Sequence, residues 1–244
     1  MRIVVTRPEA SGLKTAQLLR EIGHEPVLLP LTSPTHDATA AIAALANTPA
    51  SLAVTSAEAV RALLGSGADL AASLHRPIFV VGHASAKAAR DAGFQAIIAG
   101  ESDGSALAQL IANTDVSHRG TVLYLAGTPR DQGFERALGE LKVPFETVEI
   151  YRMQPVPWQS HNLKKRIADS PIDAVLFYSS EAVRIFFALM EREEYLDQLR
   201  DCRMVCISSK VLSQVPAAFQ NAAFASPVPS ESRMFDLLGR KAGT

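Results

Sequence analysis

Short apolar runs alternate with alanine-rich segments of helical periodicity along nearly the whole chain. Several of these runs are continuously apolar, as expected for parallel strands that are buried on both faces. Ten runs are typical of strands, at residues 2–6, 26–30, 52–56, 78–82, 95–99, 121–126, 146–151, 174–179, 203–208 and 222–225. Seven segments between them are typical of helices, at residues 12–22, 57–64, 85–92, 105–112, 132–141, 182–191 and 231–240. The alternation predicts an α/β fold.

The distribution of the strands predicts two domains. Five strands with four intervening helices lie between Leu52 and Tyr151, which is enough for one complete doubly wound sheet. Only two strands precede this region and three follow it, and two strands alone do not form a stable domain. We therefore predict a discontinuous α/β domain, residues 1–33 and 155–244, with a second α/β domain, residues 38–150, inserted into it.

Two connecting segments, at about residues 30–37 and 151–158, are predicted to be extended linkers. Each contains two prolines, which resist helix formation and favour extended backbone. A pair of such linkers would make a semi-rigid hinge, and we expect the sheet edges of the two domains to face a common interdomain cleft.

Composition narrows the class of protein. The 244 residues are 48% hydrophobic and 20% charged, which is sufficient for a substantial core. A formal net charge of −1 argues against a general nucleic-acid binder. The start of the chain has only three consecutive apolar residues, so we expect no signal peptide, no membrane span and a cytoplasmic location. Nothing in the sequence demands more than a monomer.

Motifs of the common catalytic and metal sites are missing from the sequence. It has no GxGxxG after the first strand, no GxxxxGK[ST], no HExxH and no GxSxG. The two cysteines, Cys202 and Cys206, are too few for a disulfide framework, and their spacing alone is not a zinc signature. We expect them to be buried free thiols.

Candidate chemistry is concentrated in turns that follow predicted strands. In parallel sheets ligands bind beyond the carboxyl ends of the strands, and a helix that starts there attracts anions. The sequence therefore predicts an anionic ligand that is held by backbone amides, hydroxyl groups and a few arginines. The candidate residues are Thr6, Arg7, Thr55, Ser56, Gly82, His83, Ser85, Gly127, Arg130, Ser179 and Ser180.

One of these turns occurs twice, as SAEAVR from Ser56 and as SSEAVR from Ser179. The repetition indicates the same strand-to-helix corner in two similar domains. Serine and threonine before a helix are also common N-caps, and residues 55–58 fit a capping box. Each corner is therefore either a helix cap or part of a site that both domains share.

Six stretches in family order resemble the uroporphyrinogen-III synthase family. They are VTRP, VTSAEAVRAL, VVGHASAKAARDAGF, LAGTPR, EIYRM and FYSSEAVRIFF. The resemblance implies two flavodoxin-like doubly wound parallel-sheet domains, joined by two extended linkers, with one domain inserted into the other. It also implies cyclisation of hydroxymethylbilane to uroporphyrinogen III, with loss of water and inversion of the last pyrrole ring through a spiro intermediate. The reaction it implies uses no cofactor and no metal.

The resemblance places the family's functional tyrosine on Tyr151. The family's hydroxyl-bearing turns fall on Thr55, Ser56, Ser85 and Ser179, and its glycine turns fall on Gly82 and Gly127. A phenol is protonated at neutral pH, so Tyr151 is suited to donate to the departing hydroxyl group, while the protein catalyses mainly by positioning. One departure is Ile207, where the family often has glycine, which puts a role of Ser208 and Ser209 in doubt.

Three alternatives remain open from the residues themselves. Tyr151 is either a proton donor or a half-buried linker aromatic with its hydroxyl group in water. The whole protein is either an enzyme or a hinge-bending two-domain binder of a small anion. A nucleotide-using enzyme is a third possibility, which the missing phosphate-loop glycines disfavour.

Overall fold

A computed structural model describes residues 1–47, 51–100, 103–114, 120–167 and 170–239. The chain divides into two compact units, the first comprising Met1–Ser33 with Gln154–Thr244 and the second comprising Pro34–Met153. Each unit is built on its own parallel-dominated sheet with helices packed against it. The prediction of an α/β fold with two such sheets is confirmed.

Eleven strands are described, and each of the ten predicted runs overlaps one of them. The extra strand is β3, in a segment predicted only as a linker. The strands are β1 (Arg2–Val5), β2 (Glu25–Leu28), β3 (Thr32–His36), β4 (Ser51–Val54), β5 (Ile78–Val81), β6 (Ile97–Gly100), β7 (Val122–Thr128), β8 (Phe145–Pro155), β9 (Ala174–Phe177), β10 (Arg203–Cys206) and β11 (Ala223–Ala225).

Ten α-helices are described, and three of them were not predicted: α2, α7 and α9. The last predicted helix, residues 231–240, ends at Phe235, and Arg240 lies outside the described residues. The helices are α1 (Glu9–Glu21), α2 (Thr39–Asn47), α3 (Ala57–Gly65), α4 (Gly82–Asp91), α5 (Gly104–Ala112), α6 (Gly133–Glu140), α7 (Ser160–Ile167), α8 (Ser180–Arg192), α9 (Ser209–Leu212) and α10 (Glu231–Phe235).

The first sheet has the strand order β2-β1-β9-β10-β11, and all of its pairs are parallel. Counted along the unit this order is 2-1-3-4-5, which is that of flavodoxin. Strands β1 and β9 are neighbours, yet the helices that follow them lead to opposite ends of the sheet. The topological switch point of the first unit therefore lies between the carboxyl ends of β1 and β9.

The second sheet has the order β3-β8-β7-β4-β5-β6, in which β4 to β8 are paired in parallel. Counted from β4, these five strands have the order 3-2-1-4-5, the other doubly wound arrangement. The helices after β4 and β7 again lead in opposite directions along the sheet. Its switch point therefore lies between the carboxyl ends of β4 and β7.

Strand β3 lies at the edge of the second sheet, beside β8. The Asp37 N–H group donates to the Ile150 carbonyl, and the Val156 N–H group donates to the Leu31 carbonyl, so the two segments run antiparallel. The sequence of β3, TSPTH, is polar and contains Pro34, which is tolerated because an edge strand leaves one row of backbone groups unpaired. Both predicted linkers therefore contain paired strand.

The apolar strands are buried because helices cover both faces of each sheet. In β1, Val4 packs in one cluster, whereas Ile3 and Val5 pack in another on the opposite face. All four residues of β9 are buried, as its continuous apolar sequence predicts. Burial of this kind fixes the register of the strands and hence the positions of the turns at their carboxyl ends.

The predicted state of the cysteines is confirmed. Cys202 and Cys206 are both free and buried, and burial raises the pKa of each thiol to about 12. In the part of the chain that the structure describes, no group of three or more His, Cys, Asp or Glu side chains is placed to hold a metal ion. Across the same residues, no helix has the length and apolar character needed to cross a membrane.

Candidate active site

The repeated sequence builds the same corner in both units. The Ser56 hydroxyl group caps α3 by accepting from the Glu58 N–H group at 3.1 Å. The Ser179 hydroxyl group caps α8 by accepting from the Ala182 N–H group, also at 3.1 Å. Both serines are therefore helix caps, as one of the two alternatives for this sequence predicted.

The glutamate and arginine of the repeat form an ion pair within each helix. Glu58 pairs with Arg61 in α3, and Glu181 pairs with Arg184 in α8. The surroundings differ, because Glu58 is largely buried and also bonds to His36 Nε2 at 2.8 Å, whereas Glu181 is exposed. The sequence SxEAVR thus encodes a helix cap and an ion pair within the helix, and the surroundings of each corner decide its other contacts.

Both corners lie at switch points. The Ser56 corner follows β4 beside the end of β7, and the Ser179 corner follows β9 beside the end of β1. Connections diverge at these two places, which leaves a crevice where doubly wound proteins bind their ligands. The repeated corner therefore occupies the position of greatest functional interest in each unit.

In the second unit, Tyr151 lies against Gly127. The pairing of β7 with β8 passes from Ala126 opposite Glu149 to Gly127 opposite Tyr151, so Ile150 is an extra residue in a β-bulge. A bulge changes the direction of the side chains that follow it. A Cβ atom on residue 127 would overlap the Tyr151 ring, so only glycine allows this close approach.

The Ser56 side chain is close enough to the Tyr151 hydroxyl group to lower the pKa of the phenol. Burial raises the pKa of Tyr151 above its ordinary value, the Ser56 side chain opposes this shift, and the charge of Glu58 adds to it. The net result is a phenol that stays protonated at neutral pH and is able to donate to a ligand.

A second tyrosine at this switch point was not predicted as a site residue. Tyr124, in β7, is only 1% exposed, and its hydroxyl group lies 2.8 Å from Thr55 Oγ1. Its ring packs edge-on against Phe134, with centroids 4.8 Å apart. The available signal was the phenol of Tyr124 within the apolar run TVLYLA, which the sequence predicts only as a strand.

Arg130 lies at the same end of the sheet, but its charge is balanced. Its Nη2 atom donates to Glu135 at 2.8 Å, and its Nη1 atom reaches the Gly127 carbonyl at 3.4 Å and Thr128 Oγ1 at 3.3 Å. Glu135 also accepts from Thr147 at 3.2 Å. The arginine thus holds the turn after β7 in place rather than presenting an uncompensated positive charge.

The turn after β5 separates its three candidate residues. Gly82 has φ of +72°, a left-handed conformation that favours glycine, and begins α4. His83 is exposed to solvent, whereas Ser85 is only 3% exposed. Of these side chains, only that of His83 is fully available to a ligand.

In the first unit, the chain supplies its own carboxylate to the switch point. Glu231 Oε1, from α10, accepts from Arg7 at 3.0 Å, from Tyr178 at 2.6 Å and from Thr15 at 2.5 Å. The Arg7 guanidinium also lies over the Tyr178 ring, 4.3 Å from its centroid. Burial, reinforced by Glu231, raises the pKa of Tyr178 strongly.

The other candidates of the first unit are divided between core and surface. The Thr6 side chain is 2% exposed and donates to the Leu176 carbonyl at 2.6 Å, which ties β1 to β9. Ser179 is exposed, and Ser180 is half-buried at the start of α8. The structure thus places most of the candidates at the two switch points and Gly82, His83 and Ser85 after β5, and several of their side chains already have partners within the chain.

These features define a protein of two doubly wound α/β units whose switch points carry hydroxyl groups, tyrosines and helix starts. A family model described as uroporphyrinogen-III synthase HemD matches residues 14–236. The chain belongs to the uroporphyrinogen-III synthase family, whose members are cyclising lyases of tetrapyrrole biosynthesis. The resemblance seen in the sequence is confirmed.

Solved structures of this family have the same fold. Uroporphyrinogen-III synthetase from Helicobacter pylori aligns with a TM-score of 0.67 at 16% identity, over 97% of this chain and 98% of that one. A mutant uroporphyrinogen III synthase from Thermus thermophilus aligns with a TM-score of 0.56 at 18% identity, over 98% of this chain and 96% of that one. No curated protein matches the chain by sequence.

Proposed function

We propose that this chain converts hydroxymethylbilane to uroporphyrinogen III, with loss of water and inversion of the last pyrrole ring. The observation that carries the proposal is the group formed by Tyr151, Gly127 and Ser56, which puts a half-buried phenol at the switch point of the second sheet. Membership of the family supports the same reaction and does not favour a binder without catalysis.

Tyr151 is proposed to be the proton donor. Its raised pKa keeps the phenol neutral, so it donates to the hydroxyl group as that group leaves the terminal carbon of the substrate as water. An electron-rich pyrrole needs only modest acid assistance for this step. The proton that the last ring loses after the new carbon–carbon bond forms balances the one that Tyr151 gave.

The larger contribution is proposed to be positioning. The substituted carbon of the last ring has to attack before the unsubstituted position does, and this requires a folded conformation of the flexible substrate. Holding reacting groups in the productive geometry supplies much of a rate enhancement without a single indispensable residue. We therefore expect variants of single contact residues to reduce turnover without abolishing it.

The substrate carries an acetate and a propionate on each ring, and we propose that the candidate residues bind these groups. In the second unit, hydroxyl groups and helix-start amides contribute, at Ser56, Gly82, His83, Ser85 and Gly127, whereas Thr55 and Arg130 are proposed to contact a pyrrole ring rather than its carboxylates. In the first unit, we propose contacts mainly through backbone groups, at Thr6, Arg7, Ser179 and Ser180. Backbone N–H groups at helix starts suit carboxylates, since they lack partners within the helix.

The location of the protein is proposed from the chemistry of its substrate, and its oligomeric state from the construction of its two units. A polyanionic tetrapyrrole does not cross a bilayer unaided, so we place the enzyme in the cytoplasm, where its substrate would be made. Each unit has its own core and a complete sheet, and we propose that a monomer is sufficient for activity.

Incubation with hydroxymethylbilane tests the proposed function. Unaided cyclisation gives the uninverted isomer, and we expect the protein to divert the flux to the inverted isomer, at a rate that a chelator does not change. Separation of the two isomers by chromatography is the measurement. If only the uninverted isomer forms at ample protein, the chain is a binder and the proposed reaction is wrong.

A further inference from the structure

The second unit contains a cavity of about 410 Å³ at the carboxyl ends of β4 and β7. Thr55 and Tyr124 form one wall with their paired hydroxyl groups. The starts of α5 and α6 form the other walls and contribute Asp103, Asp131 and the Phe134 ring. The cavity is thus concave, partly aromatic and lined by a few convergent polar groups, which is typical of a small-molecule site.

This cavity and Tyr151 are on opposite faces of the second sheet. Tyr124 packs in the cluster that contains Phe134 and Leu107, whereas Tyr151 packs against the cluster that contains Leu52 and Ile150. Side chains of successive strand residues alternate between the two faces of a sheet. The cavity is therefore a second binding surface at the same sheet end and not an extension of the Tyr151 site.

Acidic groups predominate among the ionisable side chains that line the cavity. Asp103 and Asp131 supply two carboxylates, and Arg130 supplies the one cation among the lining residues. The Arg130 charge is balanced by Glu135, which accepts from both its Nε and its Nη2 atoms. The Asp103 carboxylate therefore disfavours a ligand carboxylate placed close to it.

The acceptor capacity of Asp103 is only partly used by the helix. Its Oδ1 atom accepts from the Ala106 N–H group at 2.9 Å and so caps α5. An ionised carboxylate has about four acceptor positions, so further hydrogen bonds from a ligand remain available. A donor that meets a carboxylate forms a charge-assisted hydrogen bond, which is stronger than a neutral one.

The matching ligand is a neutral aromatic ring that donates a hydrogen bond. A pyrrole fits this description, because its N–H group is a donor and its ring is able to contact the edges of Tyr124 and Phe134 that reach the cavity lining. The volume lies near the lower end of the range for ligand sites, so the cavity holds a single substituted ring rather than a whole tetrapyrrole.

We propose that this cavity binds one pyrrole ring of the substrate by its N–H group, which donates to the Asp103 carboxylate. The carboxylate side chains of that ring then stay outside the cavity, where water surrounds them. This inference rests on the proposed function for the identity of the ligand. The inference assigns to the second unit a contact that recognises the pyrrole N–H group and not the carboxylates that the ring bears.

Calorimetric titration with two small probes tests the inference. One is a monopyrrole that bears an acetate and a propionate, and the other is the furan with the same side chains, which lacks the N–H group. We expect the protein to bind the pyrrole about tenfold more tightly, the usual effect of one hydrogen bond to a charged group. Asp103→Asn should reduce this preference, while asparagine still caps α5.

Asp37→Asn is the matched control. Asp37 caps α2 by accepting from the Thr39 N–H group at 3.1 Å, and it is not among the residues that line the cavity. The control should keep the full preference for pyrrole. Amide chemical shifts of Gly104 and Gly133 should change on addition of the pyrrole to the unaltered protein and confirm where it binds.

Two results would overturn the inference. Equal affinity of the unaltered protein for pyrrole and furan would show that the N–H group is not recognised. Tighter binding of both probes to Asp103→Asn would show that the cavity receives a carboxylate. Turnover separates this failure from that of the proposed function. If the protein forms the inverted isomer but does not prefer pyrrole over furan, only the assignment of the cavity is wrong.

Discussion

The switch points of the two units share a serine-capped corner, but different side chains fill the crevice beside it. In the first unit, Glu231 extends from α10 and bonds to both Arg7 and Tyr178. In the second unit, Arg130 is paired with Glu135 of the neighbouring α6, and a cavity of about 410 Å³ remains open beside it. In the first unit, α10 fills the crevice with Glu231, whereas the crevice of the second unit stays accessible to a ligand.

The tyrosines of the two regions show the same contrast. Burial raises the pKa of both Tyr178 and Tyr151, so both phenols are neutral. The Tyr178 hydroxyl group donates to Glu231 at 2.6 Å, whereas the Tyr151 hydroxyl group lies beside that of Ser56, which is itself able to donate. Similar strand-to-helix corners therefore accompany a structural role for Tyr178 in the first unit and a proposed role in proton donation for Tyr151 in the second.

The largest expected effect comes from a substitution that fills the space occupied by the Tyr151 ring. Gly127→Ala puts a methyl group where the Tyr151 ring lies, so the ring has to move. A displacement of about 1 Å of a catalytic group costs about 100-fold in rate, and we expect kcat to fall by about that factor. Stopped-flow or chromatographic assays of the inverted isomer measure it.

Gly139→Ala is the control for this substitution. Gly139 lies in α6 with no atom near the added methyl group, so the variant should keep its turnover and gain about 0.5 kcal/mol of stability. Normal kcat in Gly127→Ala would show that the position of the Tyr151 ring is not needed for the reaction.

The next effect separates the two tyrosines directly. Tyr151→Phe removes the proposed proton donor and should lower kcat by about ten- to 100-fold, within the range for general acids. Tyr178→Phe removes a hydrogen bond to Glu231, so it should lower the free energy of unfolding by about 1 kcal/mol and leave turnover of the folded protein unchanged. Equal losses of kcat in the two variants would contradict the division of roles.

The pH dependence of stability distinguishes these tyrosines as well. A phenol whose pKa is raised in the folded state contributes stability below its unfolded pKa near 10, and this contribution is lost as the pH rises through the folded value. Tyr178 has the stronger shift, so Tyr178→Phe should flatten the alkaline loss of stability. Denaturant titrations between pH 8 and about 11 measure it.

The apolar pattern of the sequence was sufficient to locate ten strands, because strands buried on both faces have distinctive composition. It missed β3, since TSPTH is polar and contains proline, as an edge strand permits. It also missed α7, whose basic sequence buries only Leu163 and Ile167 and so has too few apolar positions to show a helical period.

The candidate site was predictable where residues are adjacent in sequence and unpredictable where they are not. The Ser56 and Ser179 caps follow from local sequence, and capping was among the alternatives considered. The contact of Arg7 with Glu231 joins residues 224 positions apart, and no spacing rule predicts it. Such long-range partners decide whether a predicted arginine is available to a ligand.

A smaller effect is expected from opening the filled crevice. Glu231→Gln leaves the Arg7 charge without its partner, although glutamine still accepts hydrogen bonds from Tyr178 and Thr15. We expect a loss of about 1–2 kcal/mol in the free energy of unfolding. The uncompensated arginine should also bind a carboxylate ligand more tightly at low salt than at high salt.

Glu181→Gln provides the comparison within the same unit. Glu181 pairs with Arg184 on an exposed helix face, where loss of an ion pair costs about 0.5 kcal/mol or less. Denaturant titration measures stability in both variants, and calorimetry measures binding of the monopyrrole that bears an acetate and a propionate. If Glu231→Gln and Glu181→Gln change stability and binding equally, Glu231 is an ordinary surface residue. It then does not close the crevice at the switch point of the first unit.

The smallest effect compares the two serines of the repeated corner. Ser56→Ala and Ser179→Ala each remove a helix cap and should lower the free energy of unfolding by about 1 kcal/mol. Ser56→Ala also removes the hydroxyl group that lowers the pKa of Tyr151, so the phenol becomes a weaker acid and kcat should fall several-fold. Ser179→Ala should keep the kcat of the folded protein, since its hydroxyl group serves the cap and the proposed contacts at this corner are made by backbone groups. An equal fall in both variants, measured on the folded fraction, would show that the Ser179 side chain also takes part in the reaction and that the two corners are functionally alike.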